Sequence, residues 1–246
     1  MQSISPIPRF PIRFRNNEIL TIEYRSTPEG IAQFLPEQLT PRSDHVLIHI
    51  YRLHDPEWFG AYGELAVHFP VTHDRSGVTG SFSPLFVLES DAAIAAGREI
   101  FGQPKKAGTV TLARDGDLLV GRVERNGIEL LTATMAYKQR PSTPEALAEL
   151  EFGTNINLKV IPAVDGPGDA LRELTARDFT DVGFHSVWEG DATVEVRPNA
   201  QVPVHLLPVL EVERAFHWFA DFTAVYGRVL ETLSADAPLE LAGAPS

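Results

Sequence analysis

Short runs in which apolar and polar residues alternate recur along most of this chain, and that period-two rhythm restricts it to a fold built mainly from β-strands. Strands are predicted over residues 19–24, 46–53, 62–71, 85–88, 109–112, 118–125, 128–137, 158–162, 178–188 and 193–197. Asn126-Gly127 joins two of these runs. Both residues tolerate positive φ, which a two-residue turn demands, so an antiparallel hairpin is expected there. Helical signals are fewer: 28–34 after the cap Thr27, 91–100 after Ser90, 144–152 after Ser142 and Thr143, and a long apolar stretch at 209–233. Gly102 and Pro104 stop the second of these helices and hand the chain to Lys105. The expected class is mainly β (α+β), as one domain over residues 1–246, with an extended Pro-rich arm at 1–13 and a frayed Ala/Pro-rich tail at 235–246.

The charge balance excludes several classes of function. Lys and Arg number 21 against 33 Asp and Glu, a net charge of −12, which opposes phosphate backbones and anionic lipid surfaces. Neither a nucleic-acid nor a membrane partner is expected. There is no cysteine, hence no disulfide, thiolate nucleophile or cysteine-ligated metal. The first residues carry no continuous apolar segment and no run reaches the roughly 18 apolar residues of a membrane span, so a cytoplasmic location is expected. His45, His49 and His54 lie close in sequence, as do His68 and His73, but their spacing fits no structural zinc pattern and there is no HExxH run. No metal is expected. No GxGxxG or GxxxxGK[ST] loop is present, so no nucleotide cofactor is expected either.

Lys105-Lys106 stands out in a chain with few lysines, directly after a helix end, Pro104 and an apolar run. An amine of pKa about 10.4 is almost wholly protonated at pH 7, and nucleophilic chemistry at its nitrogen needs burial or a neighbouring cation. On a strand, adjacent side chains point to opposite faces, so Lys106 need not approach the Lys105 amine, and burial alone suffices to lower it.

AIAAGREIFGQPKKAG at residues 93–108 resembles the signature of the acetoacetate decarboxylase family, in which Gly-Arg-Glu leads to Pro-Lys-Lys. FRNNEILTIEYR, FLPEQL, TATMAYK and NINLKVIP resemble further family segments, in the family's order. The resemblance implies an antiparallel β-barrel or cone with flanking helices, a homo-oligomer, and a Schiff base between Lys105 and a small oxo acid, with no metal or organic cofactor. Activation of an amine by an apolar pocket or an adjacent cation is the mode already described for acetoacetate decarboxylase itself. By the same resemblance Glu64, in Tyr62-Gly63-Glu64, is the expected acid-base carboxylate, and Lys106 is a candidate for tuning its neighbour.

Two positions depart from the family pattern: Asn17 stands where an Arg is usual and His49 where a second Glu is usual. The first removes an anchor for a substrate carboxylate, and the second brings in a group that titrates near neutrality. Arg98 and Tyr226, the latter expected on the C-terminal helix, are further pocket candidates. His49 shares a strand face with His45, Leu47 and Tyr51, opposite Val46, Ile48 and Ile50, and is read either as an active-site residue or as a surface residue over an apolar core. Three functions follow: decarboxylation of acetoacetate or another 3-oxo acid, aldol condensation and dehydration joining pyruvate or a related oxo acid to an aldehyde, or a ligand-binding barrel without turnover.

Overall fold

The architecture was obtained as a computed structural model that describes residues 7–234, so the frayed tail expected at 235–246 and the first six residues of the arm lie outside the described residues. A 13-stranded sheet carries most of the chain. Its central order runs Phe179–Glu189, Glu211–Ala224, Ile12–Arg25, His45–Leu53, Tyr62–His73, Thr79–Leu88, Asn155–Pro162 and Asp169–Arg177. Most neighbours are antiparallel; the Thr79–Leu88 strand has parallel neighbours in Asn155–Pro162 and in the short strand Lys105–Ala107. A second, four-stranded sheet contains Ala192–Val196, Ile128–Ala136, Leu118–Arg125 and Thr109–Asp115, with the expected hairpin pairing Ile128 to Arg125. Asn126 and Gly127 adopt φ of 55° and 75°, as that turn requires. The pairing path of the larger sheet ends at Arg140–Pro141 and at Arg228–Thr232, and neither sheet closes into a barrel.

Strand alternation divides the interior into two cores. On the Tyr62–His73 strand, Leu65, Val67, Phe69 and Val71 face one core, shared with Val110, Leu112, Leu119, Leu131 and Met135 of the smaller sheet. Tyr62 and Ala66 face the other, which Ala93 and Leu147 cover from two short helices. The His45–Leu53 strand behaves alike: Val46, Ile48 and Ile50 join the first core, Leu47 and Leu53 the second. Both faces of this strand are therefore covered, and the reading of His49 as a surface residue is corrected.

The long helix expected at 209–233 is absent: Glu211–Ala224 and Arg228–Thr232 are strands, the first hydrogen-bonded between Ile12–Arg25 and Phe179–Glu189. Buried from both sides, Glu211–Ala224 shows no simple alternation, so its apolar run mimics a buried helix. The other three helices occur in shortened form as Pro28–Ala32, Asp91–Ala96 and Pro144–Ala148, capped by Thr27, Ser90 and Thr143. Within the Pro-rich arm, Phe10 packs on Phe101 and Tyr226 of its own chain at 5.2 and 5.3 Å between ring centres.

Candidate active site

Lys105 is delivered by a short chain of local events. The Ser90 side chain accepts from the Ala93 N–H and starts the helix, which widens into a π-turn over Gly97–Phe101 and stops at Gly102 with φ of 80°. Three residues later the chain runs alongside Phe86–Leu88 as a strand, with Lys105 opposite Phe86. Strand geometry then turns Lys105 inward and Lys106 outward. The Lys105 side chain is 7% exposed, and Nζ donates to both carboxylate oxygens of Glu64 at 3.1 Å, 5.4 Å from the Phe86 ring centre.

These groups line a cavity of about 150 Å³ on the second-core side of the large sheet. Its wall is rich in aromatic side chains, including Phe14, Phe59, Phe86, Phe152, Trp218 and Phe222, and its polar groups include Tyr51, Tyr62, His68, Gln103, Asn155 and Arg177. Burial pushes the Lys105 amine below its ordinary pKa; Glu64 opposes that shift and Arg177 adds to it. Burial likewise raises the Tyr51 and Tyr62 phenols, with the Glu64 carboxylate adding to it, so both keep their protons.

Arg177 was not anticipated. It ends the Asp169–Arg177 strand, and its guanidinium carbon lies 5.0 Å from the Phe101 ring centre and 4.4 Å from that of Phe179, a cation held between two aromatic faces. The same arginine acts electrostatically on Lys105, Glu64, Tyr51 and Tyr62, which makes it the cation nearest in effect to the Lys105 amine. Lys106, the candidate for that task, faces away: Nζ donates to the Gln201 carbonyl, and the residue is absent from the cavity wall.

The remaining expected site residues stand behind or beside the cavity. His49 is fully buried, with Nδ1 2.8 Å from Thr21 Oγ1 and its ring edge-on to His68 at 4.8 Å. Burial drives its pKa down to about 3, so it is a neutral ring rather than a group that titrates near neutrality. Asn17 is fully buried and donates from Nδ2 to the carbonyls of Phe14 and Ala220 at 3.0 and 2.9 Å, pinning the bulge between Phe14 and Asn17. Arg98 donates to the Lys105 carbonyl at 3.4 Å and so holds the Lys105 backbone from outside. Tyr226 lies between the two C-terminal strands, 61% exposed, and meets the site only through Phe10, a wall residue. His68 was within reach of sequence reasoning, since Glu64, Ala66 and His68 follow the spacing of one strand face.

For metal binding, Glu23, His45 and Glu213 bring one ligand atom each within 4.8 Å of one another among the described residues. His45 contacts Glu23 at 3.0 Å and Glu213 at 3.4 Å, and Arg25 approaches Glu213 at 3.8 Å, so these side chains already partner one another. None of these residues lines the cavity.

Gly97 explains why Lys105 can fold inward: a Cβ there would lie 2.5 and 2.6 Å from Lys105 Cδ and Cε and 2.9 Å from Gln103 Oε1. Gly97→Ala is expected to displace the amine and lower kcat/KM about 100-fold, the cost of roughly 1 Å of misplacement, with little change in far-ultraviolet circular dichroism. Steady-state kinetics beside a thermal melt checks this.

The family profile described as Acetoacetate decarboxylase (ADC) matches residues 2–233. Acetoacetate decarboxylase 2 of Mesorhizobium japonicum is 37% identical over 234 residues, covering 95% of this chain and 88% of that one. The acetoacetate decarboxylase of Chromobacterium violaceum is 37% identical over 223 residues, covering 91% and 89%. Among solved structures, acetoacetate decarboxylase from Legionella pneumophila superposes with a TM-score of 0.89 at 31% identity over 94% of this chain and 92% of the other. The enduracididine biosynthesis enzyme MppR in complex with pyruvate shares the fold at a TM-score of 0.75 and 19% identity, over 92% of each chain.

Proposed function

Since the chain belongs to the acetoacetate decarboxylase family of lyases, we propose that it releases carbon dioxide from acetoacetate or a related 3-oxo acid through a Schiff base on Lys105. The observation that carries this reading is the buried Lys105–Glu64 pair beside Arg177 in an aromatic cavity. With its pKa lowered by burial, Lys105 reacts as a free amine beside the Glu64 carboxylate. The amine attacks the ketone carbon, Glu64 passes a proton from the attacking nitrogen to the oxygen and then one taken from solvent to the departing hydroxyl, and water leaves with an iminium formed. The bond between C2 and the carboxylate carbon then breaks, its electron pair flows into the iminium to give an enamine, and carbon dioxide departs. Protonation of the enamine carbon and hydrolysis release the ketone and restore Lys105.

Charge balance supports this order. Iminium and Arg177 are positive and Glu64 is negative, so the pocket carries one surplus positive charge, which a single carboxylate neutralises. Once carbon dioxide has left, the neutral enamine leaves Glu64 and Arg177 balanced. With Lys105 as a free amine they are balanced as well, and this is why the arginine disfavours the Lys105 proton.

Arg177→Met is therefore expected to raise the Lys105 pKa. The acid limb of the kcat/KM profile should move to higher pH, with about a tenfold loss near pH 6 for each tenfold gain in the proton affinity of the amine and convergence with the wild type at high pH. Lys106→Gln, which removes an amine turned away from the cavity, should leave the limb in place.

A second reading, condensation of pyruvate with an aldehyde followed by dehydration, is favoured by the aromatic extent of the wall, which exceeds what a four-carbon acid can cover. One solved relative of the fold is MppR with the condensation product of pyruvate and imidazole 4-carboxaldehyde. Carbon dioxide evolution from acetoacetate supports the decarboxylase, whereas an inert acetoacetate together with a near-ultraviolet enone from pyruvate and aldehydes supports the alternative.

A further inference from the structure

Two buried histidines beside the cavity are each held by a hydroxyl that is itself held by a donor. Asn155 Nδ2 donates to Ser83 Oγ at 2.5 Å, and Ser83 Oγ lies 2.5 Å from His68 Nδ1. The Asn155 amide is oriented by its oxygen, which accepts from Gln103 and Asn157 at 3.0 Å each. Ser81 Oγ, 3.4 Å from the same nitrogen, donates to the Phe152 carbonyl instead. One layer back, Trp218 Nε1 donates to Thr21 Oγ1 at 2.9 Å, and Thr21 faces His49 Nδ1. An amide or indole N–H can only donate, so the hydroxyl proton of each relay is satisfied only by the imidazole Nδ1. Both rings are thereby fixed with the proton on Nε2, and Nε2 of each is buried without a partner.

An unmet buried donor is costly and calls for an occupant. His49 lies behind the wall; His68, 8% exposed, forms part of it. Lys105 pairs with Phe86 and Phe86 with Ala66, while Glu64 and His68 flank Ala66 two residues to either side. Four residues of strand span roughly 13 Å. Lys105 Nζ occupies the Glu64 end, which leaves room for a short acid chain between the amine and His68.

Resting on the Schiff-base reading above, we propose that His68 is the specificity-determining donor for the substrate carboxylate, to which it offers a neutral, tautomer-locked Nε2–H. The neutrality suits the reaction. A carboxylate about to lose its charge is held back by any interaction stronger in the ground state than in the transition state, and a neutral donor orients it with less such stabilisation than a cation gives. Arg177 balances the charge of the pocket, while His68 aims the bond that breaks.

The test separates ketone from carboxylate. In borohydride inactivation, His68→Phe should raise the half-saturating concentration of acetoacetate about tenfold or more, the effect of one hydrogen bond to a charged group, and leave that of acetone within about twofold. His68→Gln, which keeps an N–H donor, should recover part of the loss. Equal losses for both ketones, or no loss for either, would overturn the proposal. Wild-type protein trapped by neither ketone would instead refute the Schiff-base reading. A second readout needs no imine or variant: in protein labelled with ¹⁵N-histidine, the His68 Nε2 proton should move downfield as 3-hydroxybutyrate saturates the site. Saturation without that shift, or no binding of this acid at millimolar concentration, would also overturn the assignment.

Discussion

Lys105→Ala is expected to lose acetoacetate decarboxylation by about 10⁴-fold or more, the scale of losses when a covalent nucleophile is removed. The step that releases carbon dioxide passes its electron pair toward an iminium that this variant cannot form, and among the described residues no other lysine lines the cavity. The protein should remain folded. Deleting one member of a buried ion pair commonly costs about 3–5 kcal/mol because the other charge is stranded. Here Glu64 keeps Arg177 as a neighbouring opposite charge, so a loss of about 1–3 kcal/mol is expected, lowering Tm by about 2–4 °C per kcal/mol for a chain of this size. Activity measurements beside a thermal melt separate lost chemistry from lost structure, and a variant that is folded and still active would reject Lys105 as the nucleophile.

Glu64→Gln should be the next most damaging change, with kcat lower by about 10²–10⁴-fold, the range set by removal of a positioned acid-base group. The substituted amide keeps the shape and an acceptor oxygen but cannot carry the proton between amine and carbinolamine. The pH profile of this variant gives a sign that distinguishes it from Arg177→Met. The Glu64 carboxylate raises the Lys105 pKa against the pull of burial, so its neutralisation lets that pKa fall further. The residual activity should therefore show an acid limb moved to lower pH, opposite to the arginine variant. A Glu64→Gln protein with unchanged kcat would assign the proton transfers elsewhere.

Much of the fold was legible because its strands are short apolar runs, several alternating with period two, and because Asn126-Gly127, Ser90 and Gly102 mark turns and helix ends through local chemistry. The resemblance singled out Lys105 and Glu64, and the structure places their side chains in contact at 3.1 Å. The misreadings share one physical cause, the override of local signals by tertiary context. Glu211–Ala224 is buried on both faces and so loses its period-two pattern. Asp169–Arg177, rich in Ala, Leu, Arg and Glu, has a helix-like composition, yet it pairs with Asn155–Pro162 as a strand. Missing that strand also hid Arg177 at its end. Asn17 and His49 were singled out for departing from the family pattern, but Asn17 Nδ2 is engaged with backbone carbonyls and His49 Nδ1 with Thr21, and neither residue lines the cavity. The Ala220 and Thr21 partners lie 203 and 28 residues away, a separation that no local pattern encodes.

The Schiff base itself can be seen most directly by treating the protein with borohydride in the presence of acetoacetate, followed by intact mass and peptide mapping. The expected product is an acetone-sized reduced adduct on the peptide carrying Lys105, absent from Lys105→Ala, because reduction traps the iminium after carbon dioxide has left. An unmodified protein that nonetheless releases carbon dioxide, or an adduct on any lysine other than Lys105, would contradict it.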